Sequence, residues 1–540
     1  MVLDMVRHAF DNYILAAFPK DELAPLSGKG RDTLGGYALT LIDSLDLLAI
    51  VGMHDEFRRY GKWVQNAFRD FDLDVSVSVF ETHIRLVGGL LSAHFMYEEG
   101  IVEVDPSVDA YDGGLLRLAV DLARRLLPAF NTRTGIPFGA INLRKGVAKT
   151  EIDVTSTAGA GTFLLENTII SAVTGNASFE RYARRASESL LRHRSAATNL
   201  VGNHINISSG EWTLDIASVG SGVDSFIEYL FKAHVLTGDP LYWEHFRLMH
   251  HAVLRYCRKA EWYVDVNMNN GAVVFPIHNS LASFYPGMLA TAGFLPEALE
   301  PLNAQHSVFK RYGAMPEGYH LNGLGAAAKQ EGYPLRPEHA ESLYLVYRAT
   351  RDVAYLLRGK EVVSSLLERT ATGCGFAALK HCVRLEDEDQ HSDTMESFML
   401  SETLKYLYLL FSDDDHFLHR KYRDPPSSFN LTNAWVFNTE GHPLPVTPEW
   451  SSWVQNEYRD RFEAYEAALE ALDDSVDSAA IKDHRCSRLG NMDDVQTLDG
   501  IDGWRVPVVD GEYRCRGVPT NAFEALSTAI VTPRFKRPTL

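Results

Sequence analysis

The 540-residue chain has little cysteine: five residues, Cys257, Cys374, Cys382, Cys486 and Cys515, none of them in a CxxC pair. That spacing argues against a zinc ribbon or a thioredoxin-type redox site, and the odd number leaves at least one thiol unpaired in an oxidising compartment. Positive charge is short as well. With 52 Lys and Arg against 71 Asp and Glu the net charge is −19, which argues against a nucleic-acid partner, since such binding pairs cations with phosphates. No P-loop, HExxH or GxSxG motif is present. The longest uncharged run, 266–296, is interrupted by Asn269, Asn270, Pro276, Asn279 and Pro286, too polar to form a transmembrane segment. The start, 1–8, reads as an amphipathic helix and lacks the basic-then-apolar pattern of a secretory leader.

What the chain has is helical periodicity. Apolar residues are 46% and charged residues 23% of the total, an ordinary soluble composition. Stripes at helical spacing run through 39–51, 115–127, 227–236, 342–357 and 401–411. Helices stop at a repeated punctuation: Thr174-Gly175 before Phe179, Thr237-Gly238 before Tyr242, Thr350-Arg351 before Tyr355, and more loosely Gly52 before Phe57. A turn followed by an aromatic residue that packs the next helix on the last implies stacked helical hairpins. Periodicity alone leaves a ring and a line of hairpins equally open. Beyond about residue 445 the sequence turns acidic and irregular, with one further amphipathic helix expected at 463–472. Three sequons, at Asn176, Asn206 and Asn430, lean weakly towards a secretory location.

Carboxylates in apolar settings carry the chemistry. Glu81 and Arg85 stand at i,i+4 within 75–90, a plain helical ion pair unless Glu81 is buried, when its pKa would rise as a general acid requires. Asp224 follows a Gly-Ser-Gly turn and reads as an N-cap; Glu338 and Glu341 fall in the opening turns of a helix after Pro337. Glu396 and Glu402 sit in what reads as one strongly apolar helix, where carboxylates cost stability without partners. Thr439 and Glu440 lie in a short polar loop whose hard oxygens suit calcium. His245, His250 and His251 have poor register for a shared metal and read as structural.

Through these residues the chain resembles glycoside hydrolase family 47, the class I α-1,2-mannosidases, in its ER degradation-enhancing mannosidase-like branch. The resemblance rests on GGYALTLIDSLDLLAIVG, SVFETHIRLVGGLLSAH, NTRTGIPFGAINLRKG, GSGVDSFIEYLFK, RPEHAESLYLVYRAT, MESFMLSETLKYLYLLFSDDD and VFNTEGHPLP, in the family's order. It implies an all-α (α/α)7 barrel over 1–445, with 446–540 a C-terminal extension. It also implies an inverting, calcium-dependent mannosidase, acting in the ER lumen on high-mannose N-glycans of misfolded glycoproteins. By motif, Glu81 corresponds to the acid, Glu338 to the base acting on water, and Asp224 to a third essential carboxylate. Thr439 corresponds to the direct calcium ligand, Glu402 and Glu440 to acids holding calcium-bound waters, and Arg85, Glu166 and Glu341 to sugar-orienting residues. Inversion needs acid and base roughly 6.5–9.5 Å apart.

Three departures from the processing mannosidases stand out. Gly222-Val223-Asp224 replaces an Arg-Ala-Asp triplet, Asn279-Ser280 replaces an Asp-His pair, and Ser283 replaces a cysteine. The Asn279-Ser280 change leaves open an alternative reading, a mannose-binding receptor with a silent pocket. A protein disulfide isomerase-like partner is also implied by the branch, but Gly28 stands where the branch carries the cysteine after Pro-Leu-Ser.

Overall fold

The computed structural model describes residues 1–103, 111–383, 390–419, 435–463, 465 and 467. Cys486, Cys515, the Asn430 sequon and most of the expected 463–472 helix lie outside them. The chain divides into two units, Met1–Trp450 and Ser451–Leu540. The first contains the paired helices and every residue of the candidate site.

The helical stripes of the sequence become pairs of helices. Helices α1 (Val2–Asn12), α2 (Leu39–Ile50) and α3 (His54–Ala67) open the chain. A continuous helical stretch comes next: α4 (Val79–Glu81), a π turn (Thr82–Val87) and α5 (Gly88–Glu98), then α6 (Gly114–Leu126). After it stand α7 (Thr157–Gly161), α8 (Leu164–Thr174) and α9 (Ser178–Arg192), then α10 (Asp224–Thr237) and α11 (Pro240–Tyr256). The set closes with α12 (Tyr285–Thr291), α13 (Leu295–Tyr312), α14 (Glu338–Thr350), α15 (Val353–Arg369), and α16 (Lys405–Leu410) preceded by a π turn (Met399–Leu404).

Two burial patterns separate inner from outer helices. Every residue of α2 is buried, as is α10 from Ser225 to Thr237, because these helices have protein on all sides. By contrast, α6 buries one stripe, Leu115, Leu118, Ala119, Leu122 and Leu126, and α9 likewise. Seven inner segments (α2, α4–α5, α7–α8, α10, α12, α14 and α16 with its π turn) alternate with seven outer ones among the described residues. The π turn before α16 packs on both α14 and α2, so the last inner segment meets the first. The ring closes, and the fold is an (α/α)7 barrel.

The helix ends behave as the punctuation predicts. Gly175, Gly238 and Arg351 close α8, α10 and α14 in the left-handed conformation, and Phe179, Tyr242, Tyr355 and Phe57 are all buried. The expected stripe 342–357 spans two helices, broken at Arg351, whose φ of 59° ends α14. At the opposite rim, short antiparallel strand pairs feed the inner helices. Ser76–Ser78 pairs with Ala140–Asn142 and leads into α4; Val154–Ser156 pairs with His204–Asn206 and leads into α7. Ser78 and Ser156 cap those helices by accepting from the amides of Glu81 and Gly159, satisfying donors the helix leaves free. Because inner helices are every second segment, they run parallel, and their N-termini share this rim.

Candidate active site

The acids of the sequence motifs collect at these N-termini. Asp224 and Glu338 are the first residues of α10 and α14; the preceding Val223 and Pro337 occupy the cap positions without a side-chain cap bond. Asp224 is therefore not the N-cap that its position after a turn suggested. Its Oδ1 accepts from the Ser225 amide at 2.7 Å and the Ser225 hydroxyl at 3.2 Å. Burial and then Glu228, one turn down the helix, push its pKa to about 6 against these bonds and Arg336. Burial, Glu317 and Asp224 likewise raise Glu338 to about 7, although Arg336 opposes the shift. Arg336 is held by Glu317 at 2.5 and 2.7 Å and reaches Glu338 at 3.9 Å. Two carboxyl groups that exchange protons near neutrality thus flank one guanidinium.

Glu81 differs from its conditional expectation. It ends α4 with its side chain 36% exposed and accepts from Arg85 Nε at 2.8 Å. The helical ion pair is real, and the burial is not. Arg85 also contacts Glu440 at 2.8 Å and donates to Ser397 at 2.9 Å. Arg85 lies in the π turn Thr82–Val87, and Glu402 in the π turn Met399–Leu404; such turns re-aim side chains off the regular helical face. Glu396 is not in that helix at all. It precedes the turn, on the stretch where the Ser397 amide donates to the buried Glu22.

Deeper in the barrel a hairpin enters: Trp435–Phe437 pairs with Pro443–Pro445 and presents Asn438–His442 as its turn. Asn438 is the anchor. Its amide donates to the Ile84 carbonyl at 3.0 Å and to Glu166 at 2.9 Å, while its Oδ1 accepts from the amides of Glu440 and His442. Glu166 is fully buried, with Tyr229 donating at 2.8 Å and His83 at 3.3 Å. Burial would raise its pKa, but His83 and Asn438 more than offset that and lower it. On the far side, Lys405 donates to the Gly441 carbonyl at 2.7 Å and pairs with Asp46 at 3.0 Å. His442 bridges Asp46 and Asp43 at 2.8 and 3.1 Å, all with no exposure. The backbone approach is close: a Cβ at Gly88 would stand 2.4 Å from Asn438 Nδ2.

Between rim and hairpin lie Glu341, Glu402 and Glu440, all buried. Desolvation raises each, and their neighbours add to it: Glu228 and Glu338 at Glu341, Glu440 at Glu402, Asp43 and Glu81 at Glu440. Mutually repelling buried carboxylates beside the oxygens of the Thr439 turn make a donor set suited to a hard divalent cation, which relieves the repulsion. The turn touches this group directly, since a Cβ at Gly441 would meet Glu402 Cγ at 3.1 Å. Among the described residues no three His, Cys, Asp or Glu side chains close on a common point. The residues that would hold such an ion are the oxygens of the Thr439 turn, with Glu402 and Glu440 beside them.

The structure therefore brings Glu81, Arg85, Asp224, Glu338, Glu341, Glu402 and Glu440 into one linked cluster, with Glu166 and the Thr439 turn below it. Sequence reasoning missed Arg336, Glu228, Asn438, Asp43, Asp46, Lys405, His442 and Lys232, which pairs with Glu228 and donates to the Asn438 carbonyl at 3.3 Å. Asp43 and Asp46 carried a usable signal, two acids inside the otherwise apolar LTLIDSLDLLAIV. Asn438 carried none. His250 is structural as expected, accepting or donating with the Tyr285 hydroxyl at 2.9 Å and stacked on Phe246.

A closed α/α barrel whose parallel helix N-termini gather buried carboxylates at one rim offers the acid and base groups that glycoside hydrolysis needs. Comparison with known proteins specifies the family. The profile of glycosyl hydrolase family 47 matches residues 5–446, and the chain belongs to that family, an α-mannosidase by type. It is 46% identical to alpha-mannosidase I MNS4 of Arabidopsis thaliana, over 83% of this chain and 70% of that protein. It is 42% identical to ER degradation-enhancing alpha-mannosidase-like protein 2 of Homo sapiens, over 82% of this chain and 76% of that one. The solved alpha-1,2-mannosidase from Trichoderma reesei superposes with a TM-score of 0.74 at 25% identity, covering 83% of this chain and 98% of that structure.

Proposed function

We propose that the barrel, residues 1–445, is an inverting, calcium-dependent α-1,2-mannosidase that trims high-mannose N-glycans of misfolded glycoproteins in the ER lumen. The observation that carries the proposal is the placing of Asp224 and Glu338, each at an inner-helix N-terminus, under the influence of the same Arg336, with the part-exposed Glu81 at the same rim. Glu338 takes a proton from the attacking water. Its first-turn position puts the helix N-terminus behind the carboxylate, and Arg336 steadies the charge that returns when the proton leaves. Glu81 and Asp224 serve the leaving oxygen, Glu81 being open to solvent for reprotonation. Arg85, Glu166 and Glu341 orient the sugar. Thr439 would hold calcium directly, with Glu402 and Glu440 holding its waters; bound there, the ion supplies charge that draws sugar hydroxyls and favours an oxocarbenium-like ring. A disulfide isomerase-like partner would attach without the cysteine that Gly28 replaces.

Glycan profiling of Man9 substrate on an unfolded glycoprotein tests this. Wild type with calcium is expected to shorten the glycan with inversion, and E81Q or chelation to lower the rate at least about a hundredfold. A wild type without turnover overturns the proposal. The receptor reading has its own support in Asn279 and Ser280, which here serve the protein: Asn279 caps the Leu281 amide and Ser280 donates to Glu317. Mannose binding unchanged in E338Q, with no turnover in wild type, selects that reading.

A further inference from the structure

Beneath Glu338 the barrel wall holds a narrow cavity lined by Ser280, Ser283, Tyr333, Arg336, Glu338 and His339, among others, with about 10 Å³ open to the centre of a water molecule. That is room for one water. His339 follows Glu338 on α14 and is buried; its Nδ1 has no protein hydrogen-bond partner among the described residues. Its other nitrogen, Nε2, lies 3.1 Å from Nδ1 of the buried His306 on α13, the rings stacked at 18°. His306 Nε2 in turn lies 2.9 Å from Glu361 Oε2 on α15, a carboxylate 44% exposed at the barrel surface.

The direction of these bonds is dictated. A carboxylate only accepts, so His306 Nε2 carries a proton and donates to Glu361. Neutral His306 then has a bare Nδ1, which must accept from His339 Nε2–H. That leaves Nδ1 bare on His339, a residue that lines the cavity. Burial lowers the pKa of both imidazoles, and at His339 the neighbouring His306, Arg358 and His278 add to the effect. Both shifts disfavour a proton that stays on either ring. Lys310, 3.6 Å from Glu361, and Arg358 are the cations facing this line, and His278, bonded to Ser283 at 3.3 Å, faces it from the strand before α12.

We propose that His339, His306 and Glu361 form a proton exit from the cavity under Glu338 to solvent on the outer face of the barrel. The inference rests on Glu338 being the base. In each turnover Glu338 gains one proton from the attacking water and must lose it before the next. Its side chain is only 12% exposed, which restricts direct exchange with solvent. The proton passes through the cavity water to His339 Nδ1. His339 Nε2–H moves to His306 Nδ1, and His306 Nε2–H moves to Glu361 and then to solvent; both rings are left in the opposite tautomer, and each turns over to restore its starting donor before the next passage. One proton enters and one leaves; Glu81, at the open mouth, collects the equivalent proton for the leaving oxygen, so hydrolysis remains proton-neutral. His339 and His306 do not touch sugar and are relay residues.

Steady-state kinetics on Man9 with E361Q, E361K and H306A, with calcium, tests the relay. E361K, on an exposed side chain, reverses the bond direction by placing a donor opposite His306. We expect kcat to fall about tenfold in E361K and H306A, less in E361Q, with KM unchanged and a larger solvent deuterium isotope effect on kcat. Imidazole should rescue H306A, whereas pyrazole, of the same shape but far less basic, should not. Wild-type kcat and isotope effect in both E361K and H306A, or equal rescue by pyrazole, overturn the relay while the base stands. An inactive wild type overturns the base and the relay together. Loss of activity in E338Q with wild-type behaviour of E361K and H306A confines the failure to the relay.

Discussion

Gly88→Ala sets two effects of opposite sign against each other. Within a helix, replacing Gly by Ala removes backbone entropy from the unfolded chain and stabilises by about 0.5–1 kcal/mol. At Gly88 the new methyl would stand 2.4 Å from Asn438 Nδ2 and 3.0 Å from His442 Cδ2. Neither neighbour can swing away freely. Asn438 is fully buried and its amide bonds Ile84 and Glu166, while His442 is fully buried between Asp43 and Asp46. Overpacking costs about 1–3 kcal/mol, and each buried bond broken to relieve it about 1–3 kcal/mol more. The clash wins, for a net loss of about 2–4 kcal/mol. Urea unfolding should show a lower midpoint with an unchanged slope. Mannose release should fall at least tenfold, because the displaced turn carries Thr439 and Glu440. Gly61→Ala on α3 is the control, since its methyl would meet only the Tyr97 hydroxyl at 3.6 Å. It should be neutral or stabilising. Equal stability and activity in the two variants would refute the idea that the hairpin is wedged against α5.

Two further outcomes arise from the buried network behind that hairpin. Burial alone would depress His442, yet Asp46 and Asp43 raise it to about 9. A raised imidazole contributes stability that is complete below its unfolded value near 6.5 and is lost as pH rises through 9, about 3 kcal/mol in all. Unfolding free energies from pH 6 to 9.5 should fall more steeply for wild type than for H442Q, and parallel curves would sink the assignment. Lys405→Met removes the unexposed partner of Asp46, leaving a buried charge half-compensated at a cost of about 3–5 kcal/mol. Adding Asp46→Asn should recover part of that loss in a double-mutant cycle; strictly additive losses would show that the pair is not coupled.

The sequence by itself determined that the chain is helical, where most helices stop, and which carboxylates are misplaced for a plain core. Helix ends are written locally: Gly175 and Gly238 take the left-handed turn because they lack a Cβ. Inner and outer helices also differ in sequence, one apolar on every side and the other striped. Family motifs then assigned Glu81, Asp224, Glu338 and the Thr439 loop to one site. Ring closure was implied by the family resemblance and not by periodicity, because it depends on the Met399–Leu404 turn meeting α2, at the other end of the barrel's sequence. The exposure of Glu81 and the shifts of Asp224 and Glu338 were hidden. Arg336 and Glu228 lie close in sequence to Glu338 and Asp224, but burial and the approach of Glu317 are set by the packing of separate segments, which no local pattern encodes. Asn438 makes the point most sharply. A short polar residue in a turn looks like any other, until tertiary packing seats it against Ile84 and Glu166 and fixes the floor of the site.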